Sequence, residues 1–92
     1  MWYIYILECL DGALYVGSTN DIERRFTEHI SENGGHYTSY SKPMRILYEE
    51  SFDTRSQAEK REQQIKRWSR EKKLALIFGD FEKLKYLSKS HD

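Results

Sequence analysis

Residues 2–19, WYIYILECLDGALYVGST, decide the fold. The runs WYIYILECL (2–10) and ALYVGS (13–18) are rich in aromatic and β-branched residues, and Asp11-Gly12 stands between them as a turn signal. The stretch therefore reads as an N-terminal β-hairpin. Its register stays open at this level, and register matters because a one-residue slip carries every side chain to the other face of the sheet. A two-residue Asp11-Gly12 turn sets Tyr15 opposite Glu8 and puts Tyr5 and Tyr15 on opposite faces. A three-residue turn, with Gly12 in the left-handed region and a bulge, sets Leu7 opposite Tyr15 and Tyr5 opposite Gly17, all on one face.

Downstream of the hairpin, Asn20 with Glu23 makes a capping box, and Ile22, Phe26 and Ile30 repeat every four residues, which predicts an amphipathic helix over 21–31. Residues 31–43, SENGGHYTSYSKP, carry Gly, Ser and Tyr without periodicity and read as a loop closed by Pro43. A third strand follows over 44–52. Ser56 with Glu59 forms a second capping box that opens a helical run to Trp68, and Ser69 caps a further helix. Leu74, Ile77, Phe78, Phe81, Leu84 and Leu87 then keep helical spacing through a Gly79-Asp80 break and are expected to cover the core. The order is ββαβαα with an additional short helix. A three-stranded antiparallel sheet cannot bury itself, so the expected class is α+β, the sheet flanked by helices.

At 92 residues there is room for one domain, 1–92, and one modest core. No apolar run reaches the ~20 residues a membrane-spanning helix needs, and the chain opens on a strand pattern in place of a signal core, so a cytoplasmic location is expected. The single cysteine, Cys9, excludes an internal disulfide and a multi-cysteine zinc cluster. Net charge is zero, so bulk electrostatics argues for no particular partner. The distribution is uneven: residues 1–54 hold four Lys/Arg against nine Asp/Glu, and residues 55–73 hold eight against three.

Several residues fit a structural role poorly. Arg25 and His29 form an i,i+4 pair along one border of the Ile22-Phe26-Ile30 stripe, where they can point into a cleft beside the sheet, whereas Arg24 falls on the opposite face. In the second helix Glu62 lies flush with the apolar side marked by Ala58 and Ile65. A carboxylate there is costly to desolvate unless paired or bound to metal. Lys66 follows Glu62 by four, and simple ion pairing between them is the plainer alternative.

Taken in order, Tyr3-Ile4-Tyr5, nine residues, Tyr15-Val16-Gly17, seven residues, Arg25, three residues, His29, and then Glu62 within Ala58-x-x-x-Glu62-x-x-Ile65-Lys66 resemble the GIY-YIG nuclease superfamily, in particular its small single-domain bacterial branch. The similarity runs over about residues 2–77, with a helical extension at about 80–88. The resemblance implies a compact domain that hydrolyses a phosphodiester with one divalent cation, Mg²⁺ or Mn²⁺. By position it makes Tyr5 and Tyr15 the two motif tyrosines, Gly17 the glycine ending the second motif, Arg25 the catalytic arginine, His29 the frequent histidine and Glu62 the metal ligand. Two positions depart from the family pattern: Tyr3 replaces the first motif's glycine, and no asparagine follows Asn33, so that near Leu74 only Lys72 and Lys73 stand where the family holds a phosphate-binding asparagine.

Those residue types suit the chemistry. Glu62 supplies a hard oxygen ligand, Arg25 a permanently charged fork for phosphate oxygens, Tyr5 a base if positive charge favours its phenolate, and Tyr15 a hold on water or phosphate. His29 would orient Tyr5 or relay its proton. Lys66, Lys72, Lys73 and the Tyr37, Tyr40, Lys42 loop are candidates to grip the backbone and stack on bases, with a solvated helix surface as the alternative for the basic run. The expected partner is nucleic acid, DNA before RNA, acted on by a monomer, with a protein partner possible for specificity. The competing readings are a nucleic-acid-binding module without turnover and a protein-interaction domain using the aromatic surface.

Overall fold

A computed structural model describes residues 1–31 and 42–91, with the backbone alone at 90 and 91. The elements are β1 (Trp2–Cys9), β2 (Leu14–Thr19), α1 (Ile22–Ser31), β3 (Pro43–Phe52), α2 (Arg55–Lys66), α3 (Arg70–Phe78) and α4 (Phe81–His91). The three strands form one antiparallel sheet in the order β2-β1-β3, the α+β layout expected. Tyr37 and Tyr40 lie outside the described residues.

The hairpin takes the three-residue turn. Gly12 sits at φ 87°, its N–H donates to the Cys9 carbonyl at 2.9 Å, and the Cys9 N–H donates to the Ala13 carbonyl at 2.9 Å. A side chain at that φ is strained, so glycine suits the left-handed position that closes the loop. The resulting register pairs Tyr5 with Gly17 and Leu7 with Tyr15, which puts both tyrosines on one face.

Alternation along the strands then sorts the molecule into layers. Ile4, Ile6 and Val16 point to one face, where they pack against Ala58 and Ile65 of α2 and Leu76 of α3. Ile4, Ile6 and Ile65 are fully buried, and each such side chain stabilises the fold by roughly 1.5–3 kcal/mol. Tyr5, Leu7, Tyr15 and Gly17 face the other way, toward α1, whose His29 is buried.

Four local expectations are corrected. Asp21, not Asn20, caps α1: its Oδ1 accepts the Arg24 N–H at 3.1 Å, while the Asn20 amide oxygen takes the Arg24 guanidinium instead. Thr54 with Gln57, not Ser56 with Glu59, forms the capping box of α2, because Thr54 is the residue with extended backbone and Ser56 is already helical. Ile30 is exposed, since α1 is rolled toward its Arg25–His29 border. Phe78 and Phe81 are exposed as well: Gly79 ends α3 at φ 71° and resets the helical phase, so Ala75, Leu76 and, in α4, Leu87 take the inward positions. Ser69 caps α3 as expected, accepting the Lys72 N–H at 3.2 Å.

Candidate active site

The face of the sheet under α1 carries a compact cluster. The Tyr5 hydroxyl and His29 Nε2 are hydrogen-bonded at 2.8 Å, and the ring centroids of Tyr15 and His29 lie 5.2 Å apart, edge to face. Tyr5 and Tyr15 are 6.4 Å apart. The geometry follows from the hairpin: residues 5 and 15 share a face, and α1 sets His29 against both rings, 5.9 Å from Tyr5 and 5.2 Å from Tyr15. Gly17 makes this possible by having no side chain. A Cβ on it would lie 2.6 Å from Cζ of Tyr5 and closer still to the hydroxyl oxygen, so Gly17 makes room for Tyr5 and has no side chain with which to grip substrate.

Arg25, one turn before His29, reaches the same cluster. Burial works against its charge, but hydrogen bonding to Glu28 and to Tyr5 and the proximity of both tyrosines hold its pKa above the usual arginine value. Its Nη1 lies 3.2 Å from Glu28 Oε1. Arg24 stays on the outer surface, paired with Asn20.

Glu62 approaches from the opposite face of the sheet. Its side chain is only 15% exposed, and both oxygens are engaged: Ser18 Oγ donates to Oε1 at 2.6 Å and the Lys66 ammonium lies 2.8 Å from Oε2. Ser18 belongs to β2 but, by alternation, points to the α2 side, opposite Ile4. The cluster therefore straddles edge strand β2, with Tyr15 and Gly17 on one side and Ser18 and Glu62 on the other. Lys66 stands on the Glu62 side. Its pKa is raised chiefly by the hydrogen bond to Glu62, against burial, and also by Glu62 charge and by Tyr15.

The donor set for a metal is one carboxylate. Among the described residues no group of three or more His, Cys, Asp or Glu comes together. A single oxygen ligand suits a hard cation that keeps most of its waters, and the ammonium at Oε2 shows that this oxygen already attracts positive charge. The residues therefore fit one Mg²⁺ or Mn²⁺ held by Glu62.

The remaining sequence candidates are not drawn into the cluster. Lys72 is 2% exposed and stands 4.3 Å from the centre of the Trp68 ring, a packing position that replaces the reading of it as a backbone grip. Lys73 is half-buried, and burial together with neighbouring Arg70 lowers its pKa. Lys42 lies beyond the strand end, where its carbonyl accepts the Leu10 N–H at 2.7 Å, five residues from Tyr5 and so about 16 Å along the strand. Tyr37 lies outside the described residues. Cys9 is buried and its thiol is pushed up by burial, then by Asp11 and Glu8, which disfavours the nucleophilic thiolate. Sequence reasoning missed Ser18; the available signal was its place after Gly17 in a strand whose neighbour Ile4 is a core position.

Known proteins resemble this chain in sequence and in fold. Residues 1–75 match the family described as the GIY-YIG catalytic domain. The chain is 51% identical over 75 residues to a UPF0213 protein of Staphylococcus saprophyticus, a match covering 82% of this chain and 92% of the relative. It is 49% identical over 74 residues to a UPF0213 protein of Cupriavidus necator, covering 80% of each. The solution NMR structure of a UPF0213 protein from Bacillus halodurans superposes with a TM-score of 0.53 at 40% identity, covering 84% of this chain and 83% of that one. No helix among the described residues is long and apolar enough to cross a membrane.

Proposed function

This chain belongs to the GIY-YIG catalytic domain family, and on that premise we propose that it is a divalent-metal-dependent endonuclease hydrolysing phosphodiester bonds in DNA. The action proposed is structure-selective or weakly sequence-specific, of the repair or recombination type. The observation that carries the reading is the gathering of Tyr5, Tyr15, Arg25 and His29 on one face of the sheet, with Glu62 held against the other side of edge strand β2 by Ser18.

Exposure supports one division of roles. Tyr5 is 2% exposed and hydrogen-bonded to His29, whereas Tyr15 is 37% exposed. A residue sealed beneath α1 does not meet an attacking water, so the base is placed at Tyr15 and not at Tyr5, reversing the assignment made from sequence. Tyr5 and His29 form the buried brace that sets the Tyr15 ring. In the proposed step Tyr15 reacts as its phenolate: the oxygen holds the attacking water, takes its proton and returns to the neutral hydroxyl. The Arg25 fork faces the non-bridging phosphate oxygens, whose negative charge grows in the transition state. A Mg²⁺ or Mn²⁺ ion on Glu62 would neutralise phosphate charge and ease departure of the leaving oxygen.

A second reading, a nucleic-acid-binding module without turnover, is favoured by one observation: the Glu62 carboxylate is already satisfied by Ser18 and Lys66. A panel of flapped, branched and nicked duplexes, incubated with the protein in Mg²⁺, Mn²⁺ or chelator, separates the two. Cutting that chelator abolishes supports the nuclease; binding without cutting in either metal supports the module.

A further inference from the structure

We propose that Ser18 and Lys66 act in opposition on the cation site at Glu62: Ser18 orients the carboxylate for a divalent cation, and Lys66 is a resident positive charge that the cation must displace. The inference rests on the reading that Glu62 is the metal ligand and goes beyond it by naming what tunes that ligand.

Three facts carry it. Glu62 and Lys66 are one helical turn apart on the flank of α2 that faces β2, so their encounter is built into the helix. The two oxygens are differentiated: Ser18 Oγ donates to Oε1 at 2.6 Å, and the Lys66 ammonium sits on Oε2 at 2.8 Å. The room needed for exchange is also present, since the Lys66 side chain is 44% exposed and that of Glu62 15%. A flexible ammonium on a four-carbon stem can swing to solvent while the carboxylate remains fixed. Two cations crowded against one carboxylate repel, so a metal on Oε2 drives Lys66 away. Free of metal, the ammonium keeps a poorly solvated carboxylate from standing alone.

The hydroxyl has the contrary effect. A neighbour that hydrogen-bonds one oxygen of a ligating carboxylate holds the other at a fixed angle, and losing such a partner typically costs on the order of 10–100-fold in metal affinity. Ser18 shares no charge with the cation, so it aids binding where Lys66 hinders it.

The test is a Mn²⁺ titration of the intact protein followed by water-proton relaxation enhancement, a readout independent of cleavage. Lys66→Met is expected to tighten Mn²⁺ binding by about threefold or more, the equilibrium equivalent of a partly exposed ion pair. Lys66→Arg is expected to keep the wild-type affinity, which separates charge from packing. Ser18→Ala is expected to weaken binding by about tenfold. Glu62→Gln is expected to abolish it. If Glu62→Gln binds Mn²⁺ as the wild type does, the metal is not on Glu62 and the underlying reading falls together with this one. If Glu62→Gln loses binding while Lys66→Met binds no tighter than wild type, or Ser18→Ala no weaker, the antagonism alone is overturned.

Discussion

At the scale of single residues, two tyrosines of the same face do different work. Tyr5 is buried, bonded to His29, and fitted over the bare backbone of Gly17. Tyr5→Phe removes a buried hydrogen bond and is expected to lower stability by about 1–2 kcal/mol in urea denaturation. Tyr15→Phe changes a group that is more than one-third exposed, so its stability should stay within about 0.5 kcal/mol of wild type while cleavage falls by on the order of a hundredfold. Gly17→Ala forces a methyl into the Tyr5 ring and is expected to cost about 1–3 kcal/mol, read as a lower unfolding midpoint. Much at this scale was legible beforehand: the spacing of Tyr5, Tyr15, Arg25, His29 and Glu62 named the residues that the fold brings around β2. Which tyrosine meets solvent was not, because strand alternation gives the face of a residue and says nothing of the helix laid over it.

Between elements, the contact that ties β3 to α2 is polar. Arg61 donates to Glu50 through Nε at 3.0 Å and Nη2 at 3.1 Å, and Tyr48 donates to the same carboxylate. Burial alone would raise the Glu50 pKa, but the hydrogen bonds from Arg61 and Tyr48 and the Arg61 charge hold it below the usual value. The Tyr48 hydroxyl is pushed up to about 12 by burial and by Glu50. A carboxyl whose folded pKa is depressed contributes stability that is full above its unfolded pKa, about 4.3, and is lost as pH falls through the folded value. Glu50→Gln is therefore expected to be less stable than wild type by about 1–2 kcal/mol at neutral pH. That gap should close as urea midpoints are followed down below about pH 4. A gap that stays constant with pH would show that the charge on Glu50 contributes nothing. The elements themselves were readable from pattern, but their ends were not. Asn20-x-x-Glu23 competes with Asp21, and Ser56-x-x-Glu59 overlaps Thr54-x-x-Gln57; choosing between them requires the backbone angle at which the chain enters each helix.

Over the whole molecule, most of the cations in the basic stretch 55–73 already have partners within the protein. Arg55 pairs with Glu59 and stacks over Trp2, Arg61 with Glu50, Lys66 with Glu62, Arg70 reaches the Gly12 carbonyl, and Lys72 is buried over Trp68. A count of charges along the sequence shows only part of this, because Glu50 and the Gly12 carbonyl lie outside the stretch. Binding to duplex DNA should accordingly rest on about three or four phosphate contacts. A plot of log affinity against log salt between 50 and 200 mM should then have a slope of about −3, far from the −7 that all eight cations would give. Fluorescence anisotropy with a labelled branched duplex measures it.

The central claim is that Tyr15, Arg25 and Glu62 form one cleaving site around β2. Single-turnover cleavage of a flapped duplex in Mg²⁺, with binding measured alongside, tests it most directly. Wild type is expected to cut, and Glu62→Gln and Arg25→Ala are each expected to bind the duplex yet cut slower by on the order of a hundredfold or more. Equal cutting by wild type and Glu62→Gln would contradict the claim.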